Sequence, residues 1–230
     1  MKHLHAVPML LVLLSASQPG FAAAPDSVRL AQRLEAARGS YLELLGSPDH
    51  SVPEALLEKC SCVAVIPGVI KGALGWGARF GQGVVSCRDS MGAWSPPVFL
   101  RLTGGSVGFQ IGAQKSDIVL FFMTEKSAPS LINSKFTLGG TASVAAGPAG
   151  RSGEASTDLD FNAEIYSYAR SKGLFAGVSL EGARLVPDET AITTYYGKAV
   201  PVPTILFEHH VPRLPAEAEA FMKVLPASKR

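Results

Sequence analysis

"SVGFQIGAQKSDIVLFFMT", Ser106 to Thr124, decides the fold of this 230-residue chain. Its second half is as apolar as a membrane helix, and Gly108 and Gly112 stand at the spacing of a helix-packing motif. Such a motif needs roughly 20 unbroken apolar residues around it. Lys115, Ser116 and Asp117 break the run and leave only Ile118 to Met123 beyond them. Two strands joined by a polar Gln-Lys-Ser-Asp turn account for the same residues more simply. The stretch is expected to be a hairpin rather than a membrane span.

On both sides of it the pattern is the same. From Cys60 onward, short β-branched and aromatic runs alternate with glycine: "CVAVIP", "ALGWGARFGQGVVSC", "WSPPVFLRLTGG", "KFTLGGTASVAAG" and "GLFAGVSLEGARLV". Composition and length make these strands. "GWGARFG", "GFQIGAQ" and "GLFAGVS" place glycines beside an aromatic at even spacings, so each strand carries a bare track that a second backbone or a large ring can approach. Asn162 to Ser171 fits either a helix or a strand, and Ala128 to Asn133 fits one helical turn.

Helical periodicity is confined to the two ends. In Val28 to Leu45, apolar Leu30, Leu34, Ala37, Tyr41 and Leu45 recur at steps of three and four, with arginines and glutamates between them. Pro53 to Lys59 follows Ser51, an N-cap candidate with Glu54 three residues later. Pro215 to Leu225 reads as a short exposed helix. The expected class is α+β: a curved, largely antiparallel sheet or barrel-like core with a few packed helices.

The first residues read as an export signal. Met1-Lys2-His3 precedes the apolar run Ala6 to Leu14, which is too short to cross a bilayer, and small residues follow with cleavage expected after Ala22. The whole chain carries a formal net charge of +2, and loss of Lys2 with the leader brings it to about +1. A charge so small excludes a strong global pull toward nucleic acid or anionic membrane, so any phosphate attraction must be local. Three cysteines would enter an oxidising compartment, where either Cys60 or Cys62 can bridge to Cys87.

Motifs for catalysis or cofactors fail on spacing. Gly75 and Gly77 begin a dinucleotide-type loop, but Phe80 stands where its third glycine belongs, and no phosphate-loop lysine motif occurs. "GVSLEG" departs from a nucleophile elbow because Glu181 replaces the final glycine after Ser179. Asp158, Asp160, Glu164 and Glu181 match no calcium loop, and His209-His210 are remote from the cysteines. No catalytic residue, metal or cofactor is expected. The competing reading is an envelope hydrolase acting on lipid or polymer through Ser179 or through Asp158 and Glu164.

Cations flank the apolar stripe of the first helix. Arg29, Arg33 and Arg38 beside Leu34 and Tyr41 make a segment that can either lie in a membrane interface or pack on the sheet, and Lys71 follows on the first glycine strand. A set of motifs then gives a family resemblance. "AVIPGVIKGALGWGARFGQGVV", "GGSVGFQIGAQKSDIVLFFMT" and "NAEIYSYARSKGLFAGVSLEGARL" stand in the order found in SYLF domains, and the chain resembles that family over roughly residues 53–198. The resemblance implies a non-enzymatic phospholipid-binding domain. In eukaryotic members lipid binding is attributed to a basic amphipathic N-terminal helix, some members bind actin, and bacterial members are exported. It gives Arg29, Arg33 and Arg38 the lipid-contact role here, with Leu34, Tyr41 and Lys71 beside them.

The expected organisation is a signal over residues 1–22, an amphipathic helix and linker over 23–52, a SYLF-like domain over 53–198, and a C-terminal extension over 199–230. The expected partner is a phospholipid surface in the periplasm or at the outer membrane, with no nucleic acid. A structural protein-interaction role remains the third alternative, with no protein partner named by the residues.

Overall fold

The computed structural model of the chain describes residues 26–47, 52–74, 76–107, 112–124, 136–148, 162–171 and 174–227. The leader, Ser51, the segment Ala128 to Asn133 and the carboxylates Asp158 and Asp160 lie outside them. The described elements are α1 (Asp26–Leu45), α2 (Glu54–Lys59), β1 (Cys62–Leu74), β2 (Trp76–Cys87), β3 (Val98–Val107) and β4 (Gly112–Phe122). They continue with β5 (Val144–Ala146), β6 (Ile165–Ser171), β7 (Leu174–Gly177), β8 (Arg184–Pro187), α3 (Glu189–Tyr196), α4 (Val202–Leu206) and α5 (Ala216–Val224).

The strands form one sheet in the order β5-β6-β4-β1-β2-β3-β8, with β7 also paired to β6. Only the β5–β6 pairing is parallel among these strands. The α+β class and the curved sheet are as the residues implied. Chain length makes the curvature necessary. Gly177 ends β7 beside β6, and Arg184 starts β8 at the opposite edge. Seven extended steps reach about 25 Å, whereas six strand spacings in a flat sheet span about 29 Å. The sheet has to curl into a half-barrel for the connection to close.

β4 runs unbroken through Gln114-Lys115-Ser116-Asp117, so the expected turn at these residues is corrected to mid-strand. The reason lies on the neighbouring strand. Pro67-Gly68 makes a bulge in β1, where the register with β4 shifts between Ile66 and Val69, and Gly68 takes a φ of 62°. Its freed N–H donates to Asp117 Oδ1 at 2.7 Å. A carboxylate in mid-strand thus fills the gap that the bulge opens. The preceding connection, 108–111, lies outside the described residues.

The bulge also divides β1 and its neighbours into two halves. Below it, Cys62 to Ile66 are buried on both sheet faces, along with Val84 and Val85 of β2. One face there is covered by α1 and α3. Leu30, Leu34, Ala37, Tyr41 and Leu44 of α1 are buried, with the Tyr41 and Phe121 rings 6.4 Å apart and Phe121 edge-on to Tyr168 at 5.8 Å. The stripe ends on Leu44 rather than the expected Leu45, since a step of three from Tyr41 keeps it over the sheet. The opposite face is covered by residues 136–138 and 180–183, with Phe136 against Phe122 at 6.3 Å. Above the bulge, residues 70–72, 77–80, 103–105 and 114–117 include no buried position.

Several local expectations are resolved. Residues 165–171 are strand, and the run "GLFAGVSLEGARLV" is two strands separated by a bend over 178–183. α2 is preceded by Pro53 as N-cap without a side-chain bond. Cys62 pairs directly with Cys87 across β1–β2 and forms the disulfide, leaving Cys60 free and buried. Two of the glycines read as a bare track are closely approached: a Cβ at Gly81 would meet the Ile66 and Val69 side chains, and one at Gly177 would overlap the backbone of Gly147. At Gly83, outside those runs, a Cβ would overlap the Val65 carbonyl oxygen. The buried cluster extends from Leu30 in α1 to Leu225 after α5, so both end helices share the core of the sheet.

Candidate functional site

α1 carries five of the six residues singled out for lipid contact, and its docking separates them into three groups. Leu34 and Tyr41 are completely buried, which corrects their expected place against a membrane. An apolar side chain gains about 1.5–3 kcal/mol on leaving water, whether it enters a core or a bilayer. Moving the stripe to lipid would re-expose Phe121 and the residues beneath it, so the sheet wins.

Arg33 is the second group. Its Nη2 donates to Gln82 Oε1 at 2.7 Å, its Nη1 lies 3.8 Å from Asp188 Oδ2, and the guanidinium sits 5.7 Å above the Phe99 ring. Burial lowers its pKa, partly opposed by Asp188. Asp188 also accepts from Ala191 N–H at 3.3 Å as the cap of α3. Arg33 therefore ties α1 to β2 and α3 and is engaged inward.

Arg29 and Arg38 form the third group and stay on the solvent side. Arg29 pairs with Asp26 at 3.3 Å, and Arg38 donates from Nε and Nη2 to Glu35 Oε2 at 3.1 and 2.9 Å. Exposed i,i+3 pairs of this kind contribute roughly 0–1 kcal/mol and can be exchanged for a phosphate. Between α1 and α3, a cleft of about 180 Å³ is lined by Asp26, Arg29, Arg33 and Asp188. Two acids there balance two cations, so the cleft has no net pull on an anion.

Lys71 lies far from α1 along β1, beyond the bulge, in register with Arg79 of β2 and Gln114 of β4. Arg79 is half-buried, and desolvation lowers its pKa. On the other face of the same ribbon Ile70 pairs with Phe80, and Lys115 stands beside Ile70. Reading by motif missed Ile70, Phe80 and Lys115 as site residues. A signal was present: segments 69–80, 103–116 and 171–177 contain Lys71, Arg79, Lys115 and Lys172 but no Asp or Glu. The sheet's topology then brings the described parts of all three to one end.

Of the residues of the hydrolase reading, Ser179 and Glu164 are described and lie apart, while Asp158 is outside the described residues. Ser179 and Glu181 are exposed in the bend after β7. Glu164 accepts the Ser143 N–H at 2.9 Å, and His209 Nδ1 faces Asp89 at 3.8 Å. Among the described residues no three His, Cys, Asp or Glu side chains gather at a metal-sized point. No helix among them is long and apolar enough to cross a membrane.

Comparison with known proteins agrees with the motifs. Residues 103–228 match the family described as Ysc84, Las17-binding protein actin regulator. The chain belongs to the Ysc84 (SYLF) family. It is 35% identical over 179 residues to the SH3 domain-containing YSC84-like protein 1 of rat, covering 77% of this chain and 52% of that one. The human protein of the same name matches over the same shares. LAS seventeen-binding protein 3 of Saccharomyces cerevisiae is 34% identical over 152 residues, covering 65% of this chain and 33% of that one. The chain thus spans about half the length of the mammalian relatives and a third of the yeast one. The Ysc84 match runs on to residue 228 and takes in α4 and α5. Relatives in this family are named for binding and regulation, not for catalysis.

Proposed function

We propose that the chain is a non-enzymatic binding domain of the bacterial cell envelope whose ligand is the headgroup surface of a phospholipid bilayer. The observation that carries this reading is the local placing of positive charge in a nearly neutral chain. Arg29 and Arg38 lie on the open flank of α1, and Lys71 and Lys115 lie at an end of the sheet whose strand segments 69–74, 76–80, 103–107 and 112–116 hold no acid among the described residues. Ion pairs on α1 are exposed enough to be traded for phosphates, while its apolar stripe remains in the core. Export is supported by the leader-like first 22 residues and by the Cys62–Cys87 disulfide, which persists in an oxidising compartment.

The test is sedimentation of the purified protein with phosphatidylglycerol-containing vesicles and with pure phosphatidylcholine vesicles. Binding to the first only, released by about 0.5 M salt, is the expected result. Equal recovery in the supernatant with both would end the lipid reading. A protein partner is the second reading, favoured by relatives named as Las17-binding and as an actin regulator. Capture of one stoichiometric envelope protein, with no vesicle binding, would put it first.

A further inference from the structure

The far end of the sheet has features that neither packing nor pairing uses. Ile70 is 54% exposed and Phe80 49% exposed, yet they are direct cross-strand partners on one face. That face is the one α1 covers lower down, since Gln82, two residues along β2 from Phe80, holds Arg33. Beyond the Ile70–Phe80 pair the backbone register continues through Gly72–Ala78 to Leu74–Trp76, and Trp76 in turn pairs with Val107. Leu174 opens β7 at the same end of the sheet, 65% exposed, where Gln114 Nε2 donates to Ser171 Oγ at 2.8 Å.

Charge identifies the occupant. The described residues of the three chain segments at this end include lysine and arginine but no acid. The first acid down β4, Asp117, is already engaged by Gly68 N–H and lies 3.7 Å from Arg170. Alternation sets Lys71 and Arg79 on one face of the ribbon and Lys115 on the other. An apolar row bracketed by cations on both faces suits a surface that is greasy within and anionic at its boundary. A protein partner would have to match two faces of a glycine-rich ribbon with acids on each side.

We infer that this end of the sheet, centred on the Ile70–Phe80 pair with Lys71 and Lys115 beside it, is the part of the domain that enters an anionic phospholipid bilayer. Ile70 and Phe80 sink below the headgroups, and the lysines meet phosphates. This rests on the phospholipid reading above and adds an apolar anchor on the sheet to the cations named there.

Three proteins and one fluorescence measurement test it, using vesicles of phosphatidylglycerol and phosphatidylcholine. The unaltered chain, an Ile70→Glu/Phe80→Glu variant and a control Lys223→Glu variant, which makes the same two-unit charge change on exposed α5, are titrated in parallel. Thermal unfolding checks that each keeps its fold, as substitution at exposed positions should allow. The expected result is at least a tenfold loss of vesicle affinity for the sheet variant and less than threefold for the Lys223 variant. Unchanged affinity in the sheet variant overturns the inference while leaving the lipid reading in place. Absence of binding by the unaltered chain overturns both. In the fluorescence arm, brominated lipid should quench a tryptophan placed by Phe80→Trp, while Trp94, 8% exposed and donating to Pro226 O at 2.9 Å, stays shielded. Full retention of fluorescence on bound vesicles also overturns the insertion. A self-associating chain whose dimer is broken by Phe80→Glu, without vesicle binding, would assign the face to a second copy instead.

Discussion

Arg33 lies within a stripe of arginines that look alike in sequence, but burial gives it a different role. Its guanidinium satisfies Gln82 and faces Asp188, so Arg33→Ala would leave that buried carboxylate with half-exposed Arg101, 4.0 Å away, as its remaining cation. Removal of one partner from such a pair should cost about 2–4 kcal/mol, seen as a lowered urea midpoint. Arg29→Ala, on the exposed flank, should change it by less than about 0.5 kcal/mol. Gly83 is decided by space. A methyl group there meets the Val65 carbonyl and the Ile66 backbone, neither of which can rotate away. Gly83→Ala should therefore destabilise by about 3 kcal/mol or more, measured by the same denaturant titration. A change within 0.5 kcal/mol would show that β1 and β2 can separate there.

Among the elements, α1 has the most altered meaning. Periodicity alone identifies its apolar stripe and its length to within two residues, since Leu30, Leu34, Ala37 and Tyr41 recur as an amphipathic helix must. Which apolar medium receives the stripe is not in the periodicity, because a sheet and a bilayer satisfy it equally. Leu34→Ala separates the two. With Leu34 fully buried between α1 and the sheet, its truncation should cost about 2–5 kcal/mol of stability and leave vesicle affinity within twofold once the protein is folded. Loss of affinity at full stability would return the stripe to the membrane. β4 teaches the converse. Its Gln-Lys-Ser-Asp run has turn composition, but the bulge at Pro67-Gly68 on the adjacent strand needs an acceptor, and that need exists only after the strands pair.

For the whole molecule, the shared core has a consequence for alkaline stability. Burial pushes the Cys60 thiol up to about 12, with Arg88 opposing, and raises the Tyr41, Tyr168, Tyr195 and Tyr196 phenols above their usual range. Each group holds its proton more tightly folded than unfolded. Between the unfolded pKa values, near 9 for the thiol and near 10 for the phenols, and the folded ones, the native state binds more protons, so stability falls as pH rises. These groups have no effect near pH 7. Above about pH 9, the midpoint for denaturation should drop progressively, and tyrosinate absorbance should appear together with unfolding. A full tyrosine titration at ordinary pH with the fold intact would contradict the burial of these rings.

The amino-acid sequence by itself determined the first helices, most of the strands, the α+β class and the family, because periodicity, glycine spacing and motif order are local properties that survive without a partner. The short α3 and α4 and the strand over 165–171 did not follow from it. The tertiary structure alone decided where these elements meet water. Curling the sheet so that β7 and β8 can connect laid α1 over the lower half, sending Leu34 and Tyr41 inward. Past the Pro67-Gly68 bulge no described helix covers the same strands, and Ile70 and Phe80 stand at the surface. Exposure is set by what lies across a side chain in space, and residues distant in sequence supply that cover or withhold it.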